Sequence, residues 1–115
     1  MLYLDTNPTL KEKYILFRAL KRNMISCPML KPNVEDNKIA AIYDNDNLCG
    51  GALILGSEKP TYLYCFFENP DYCTEQYHHK LKAAISEMLP EIDLFDVCCL
   101  KGKITLETGD SNGLA

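Results

Sequence analysis

Apolar residues in the first part of the chain recur at helical spacing. Leu10, Tyr14, Phe17 and Met24, with Leu16 and Leu20 beside them, predict a helix over residues 7–24. Asn7 before Pro8 offers one start for it. Thr9 with Glu12 offers another, because a threonine hydroxyl and a carboxylate three residues on can satisfy each other's backbone amides. Cys27-Pro28 should end the helix, and Pro32 should keep the next segment irregular. The pattern then turns strand-like over residues 39–43 and 52–55. Between them Asp44-Asn45-Asp46-Asn47 is rich in side chains that tolerate left-handed turns, so the two strands should form a hairpin. Gly50-Gly51 opens the return strand and suits a bulge. A second turn at Gly56-Ser57-Glu58-Lys59-Pro60 leads into residues 61–67, a β-branched and aromatic run suited to a buried strand.

Asn69-Pro70-Asp71 breaks that strand. Tyr77, Leu81, Ala84, Ile85 and Met88 then predict a second helix over residues 74–89, stopped by Pro90. Residues 94–100 read as a fourth strand. A strand that returns after a helix to lie beside its predecessor runs parallel to it. Residues 103–107 fit a short edge strand or one helical turn, and residues 108–115 read as a frayed tail. The predicted order is α-β-β-β-α-β. That describes an α+β fold with a single mixed, mostly antiparallel sheet and helices packed on it, in one domain over residues 1–115.

Composition adjusts this picture in three places. The net charge of −4 argues against nonspecific nucleic-acid binding, since phosphate neutralisation needs a basic surface; Lys11, Lys13, Arg18, Lys21 and Arg22 read as a solvated helix face. No stretch approaches the roughly 18 apolar residues of a membrane helix, and Met1 to Asp5 lacks the basic, apolar pattern of a signal peptide. A cytoplasmic location is therefore expected. In that compartment the six cysteines should be reduced, and Cys49, Cys65, Cys98 and Cys99 should behave as small buried hydrophobes.

The stretch from Asn69 to Leu81, Asn-Pro-Asp-Tyr-Cys-Thr-Glu-Gln-Tyr-His-His-Lys-Leu, resembles the strand-loop-helix of the GCN5-related N-acetyltransferases. Pro70, Asp71, Tyr72 and Leu81 fall where that family's pattern puts them. Cys73 stands in place of the usual arginine or glutamine, and Gln76 and His78 in place of two glycines. Those glycines let backbone amides approach a pyrophosphate, so the replacements add side chains where the ligand would sit. Glu75 also competes for the positive end of the helix. The resemblance implies an acetyltransferase-like fold with acetyl-CoA as cofactor, held by Phe66, Phe67, Tyr72, Cys73, Thr74, Glu75, Gln76 and Tyr77. It also implies transfer of the acyl group to an amine acceptor, with Glu68 and His78 as candidate catalytic groups.

As a general base, Glu68 needs a carboxyl whose pKa burial has raised. His78 and His79 are adjacent on a helix and point about 100° apart, so one at most faces a given site. Cys65, Cys73, His78 and His79 lack a Cys-x-x-Cys pair, and no metal is expected. Cys98 and Cys99 should point to opposite sheet faces. Tyr62, Tyr64 and Phe66 share one face, where packing under a helix competes with base stacking. Two functional readings stay open: an acetyl-CoA-dependent transferase, or a catalytically inactive module of similar topology. The second would bind a protein partner or form a homodimer through a sheet edge or helix face.

Overall fold

The computed structural model describes residues 1–23, 29–56, 58–99 and 102–108. The predicted helix end at Cys27-Pro28 lies outside them, as do Met24 and residues 109–115 of the predicted frayed tail. Eight elements follow one another: β1 (Leu2–Asp5), α1 (Leu10–Asn23), β2 (Lys38–Asp44), β3 (Asn47–Leu55), β4 (Tyr62–Phe67), α2 (Glu75–Met88), β5 (Leu94–Cys99) and β6 (Gly102–Glu107). Short 3₁₀ turns at Val34–Asp36 and Pro70–Tyr72 precede β2 and α2.

The strands form one six-stranded sheet in chain order, β1 to β6. Among the described residues only the β4–β5 pair is parallel; the other four pairs are antiparallel. The fold is thus α+β with one mixed sheet and two helices, but the predicted order needs correction. A strand precedes the first helix, and residues 102–107 form a sixth strand at the opposite edge. β1 escapes a sequence reading because four residues carry little periodicity. Leu2 and Leu4 are buried while Tyr3 is exposed, and Tyr3 stacks on Tyr43 across the β1–β2 ladder.

β2 and β3 turn through Asn45, which takes the left-handed φ of 58°. The register shifts between Ile42 and Tyr43, so that Ile42 faces Gly50 and Tyr43 faces Leu48. Cys49 is the extra residue of this bulge, next to the glycine pair singled out for it.

Along β2, Ile39 and Ala41 join one core cluster and Ala40 and Ile42 the other, as strand alternation requires. α1 covers the first face through Leu16, Phe17, Ala19 and Leu20. Thr9 begins it: its amide donates to Glu12 Oε1 at 2.9 Å, and the Glu12 amide donates to Thr9 Oγ1 at 3.2 Å. The predicted apolar face is only partly the buried one. Leu10 and Tyr14 are exposed, because the sheet meets the helix along the Leu16–Leu20 stripe. Contact there is close enough that a Cβ on Gly51 would lie 2.8 Å from Leu16 Cδ2.

α2 covers the other face through His78, Leu81, Ala84 and Ile85, above a larger core that includes Leu63, Cys65, Phe95 and Val97. Met88, predicted to belong to that face, is exposed. Thr108, the first residue of the predicted tail, donates from Oγ1 to the Ile92 carbonyl at 2.6 Å and from its amide to Asp93 at 2.9 Å. Among the described residues no helix is long and apolar enough to cross a membrane.

Candidate coenzyme and acceptor site

The predicted site lies where β4 hands over to α2. The β3–β4 ladder extends one residue past the strand, with the Glu68 amide donating to the Cys49 carbonyl at 3.0 Å. Asn69 then caps the 3₁₀ turn, its Oδ1 accepting from the Asp71 amide at 2.9 Å. Thr74 caps α2, its Oγ1 accepting from the Tyr77 amide at 3.3 Å. Glu75 follows in the first turn, so a hydroxyl and a carboxylate already answer the positive end of this helix.

The aromatic residues of the segment pack on one another. Phe67 is buried and stacks on Tyr72 at 5.3 Å between ring centroids, and Tyr72 meets Tyr77 edge-on at 4.5 Å. The Tyr72 hydroxyl donates to Asp44 Oδ2 at 3.1 Å, and burial together with that carboxylate pushes it up to about 12. Lys80 Nζ sits 4.8 Å above the Tyr77 ring. Phe66 points the other way and is fully buried under α1.

β4 and β5 are paired from Leu63↔Phe95 to Phe66↔Cys98, one residue short of the end of each strand. Cys73 closes what remains. Its thiol points at the Cys98 carbonyl, 3.9 Å away, and lies beside the free Cys99 thiol. Burial, then that neighbour, pushes the Cys73 thiol up to about 12. Such a thiol stays protonated near neutral pH and is a poor nucleophile.

The two candidate catalytic groups do not converge. Glu68 is exposed and its carboxylate accepts from Arg22 of α1 at 3.1 Å. His78 lies on the α2 side of the sheet, 8% exposed, with Nε2 buried and without a partner among the described residues. Burial and then the neighbouring Lys82 and His79 lower its pKa. It borders a cavity of about 410 Å³ between α2 and β6, lined also by Cys73, Glu75, His79, Lys82, Ile104 and Leu106, so both histidines reach one groove where one at most was expected. Gln76 is exposed. Among the described residues no three His, Cys, Asp or Glu side chains are placed to share a metal ion.

One cluster was missed by sequence reasoning. Asp96 of β5 is 1% exposed on the sheet face that α1 covers farther along, at β2 and β3. Thr105 Oγ1 donates to its Oδ1 at 2.6 Å, Lys103 Nζ lies 3.1 Å from its Oδ2, and the Tyr62 hydroxyl bonds the same carboxylate. Burial disfavours the charged form, but these three bonds outweigh it and hold the carboxyl below its ordinary range. Lys103 also lies 5.5 Å from the Tyr64 ring. The available signal was an aspartate inside an apolar strand, which must find partners on neighbouring strands. Those partners, on β4 and β6, were set by a register that no local pattern reveals. Comparison with protein-family models, curated proteins and solved structures found no match for this chain.

Proposed function

We propose that the chain is an acetyltransferase-like domain that acts as a nonenzymatic interaction module and recognises a protein partner without turning over acetyl-CoA. The observation behind this reading is the closed junction between β4 and β5. Their pairing reaches Phe66↔Cys98, and Cys73 packs into the gap beyond it. A coenzyme entering there would have to displace Cys73 and break the Phe67–Tyr72–Tyr77 stack. The separation of Glu68 from His78, and the Arg22 partner of Glu68, support the same conclusion.

The transferase reading keeps one observation in its favour. The β4–α2–β5 crossover joins two parallel strands in an otherwise antiparallel sheet, and the family resemblance implies that arrangement. A thermal-shift titration separates the readings. A ligand that binds only the folded state stabilises it by about 2.7 kcal/mol at a hundred times its Kd. No change in Tm up to millimolar acetyl-CoA is expected. A saturable rise would reinstate the coenzyme site, and loss of acyl transfer on Glu68→Gln would then assign the base.

A further inference from the structure

Among the described residues nothing pairs with the outer edge of β6. The strand is exposed along most of its length, and Ile104 is 39% exposed at the rim of the cavity beside α2. An uncovered strand edge offers a row of backbone donors and acceptors to another chain.

We infer that this edge pairs with β6 of a second copy, antiparallel about a twofold axis at Thr105; the inference rests on the nonenzymatic reading above. The argument is self-complementarity. Residues directly opposite in an antiparallel pair share a sheet face. With the axis at Thr105, Lys103 faces Glu107 of the second copy and Glu107 faces its Lys103. Ile104 faces Leu106 twice, and Thr105 faces itself. Opposite charges thus meet on one face and branched apolar side chains on the other. Moving the axis to Lys103 or Glu107 sets like charges against each other. Moving it to Ile104 or Leu106 separates Lys103 from Glu107 within the strand. The apolar face of the pair would also cover Ile104 beside the groove lined by His78 and Leu106.

Two charge variants test the pairing by sedimentation velocity on the full chain. Glu107→Lys sets Lys103 against a lysine on both sides of the axis and touches none of the Asp96 bonds. It should weaken the wild-type dimer about tenfold or more, since two favourable cross-strand pairs become repulsive. Lys103→Glu should weaken it too, by setting Glu107 against a glutamate on both sides. Mixing the two variants restores both Lys–Glu pairs and should give a heterodimer. If Lys103→Glu fails to fold without its Asp96 contact, hydrogen exchange of wild type across concentrations is the second measurement. The β6 amides that point away from β5 should become protected as the dimer forms. A monomeric wild type, a dimer indifferent to Glu107→Lys, or protection in the monomer of the β6 amides that point away from β5 would overturn the pairing. None of these results bears on acetyl-CoA. A Tm rise with acetyl-CoA overturns the nonenzymatic reading whatever the oligomeric state.

Discussion

Replacing His78 with leucine should stabilise the protein, which is unusual for a buried residue. The ring is 8% exposed and its Nε2 has no partner among the described residues. A buried polar atom left unpaired costs about 1–3 kcal/mol. Leucine has a similar volume and would face Ile104 and Leu106, though a change of shape in a packed site can take back up to about 1.5 kcal/mol. The net expectation is a gain of about 1 kcal/mol, or a Tm rise of roughly 4 °C. The pH dependence gives an independent sign. Burial lowers the His78 pKa in the folded state, with the Lys82 and His79 charges acting in the same direction and Glu75 against them. The unfolded chain therefore takes up the proton first. Stability contributed by neutral His78 is full above the unfolded value of about 6.5 and falls as pH drops below it. The slope reaches at most about 1.4 kcal/mol per pH unit in that window. Urea unfolding of both proteins above and below that pH measures the gain and the slope together. His79 is present in both proteins, so its titration cancels in the comparison. Loss of more than about 1 kcal/mol at neutral pH, with the acid slope unchanged, would refute the reasoning and show that Nε2 has a partner after all.

Two further substitutions test the architecture. Asp96→Asn should cost about 1–3 kcal/mol, because it removes the charge that Lys103, Thr105 and Tyr62 surround. Since the Asp96 pKa is lowered on folding, its contribution is present above the unfolded carboxylate value of about 4 and lost at lower pH, so the variant should show a flatter acid limb in a pH–Tm series. An unaltered acid limb would remove Asp96 from the account. Gly50→Ala should cost about 3 kcal/mol or more, because the added Cβ would lie 2.1 Å from the Phe66 carbonyl oxygen and backbone has to move. A urea midpoint close to wild type would mean that the bulge at Cys49 absorbs the methyl group.

Short-range chemistry made much of this chain legible. Thr9 and Glu12 announce the start of α1 because capping needs only a hydroxyl, a carboxylate and two amides within one turn. Thr74 starts α2 with its hydroxyl alone, accepting from the Tyr77 amide, and Asn45 marks the hairpin through its own backbone preference. Strand alternation alone separates Cys98 from Cys99 onto opposite faces, where each joins a different cluster. Other features depended on which surfaces meet. Leu10 and Tyr14 have the spacing of a buried face, yet the sheet touches the helix one stripe over, at Leu16 and Leu20. β1 is too short to declare itself and exists as a strand by pairing with β2. The Asp96 cluster and the closing of the β4–β5 gap by Cys73 join residues far apart in the chain, through registers that pairing across the whole sheet selects. Local preference is set by neighbours within about a turn, whereas a site assembled across strands is decided when distant segments exchange water for one another.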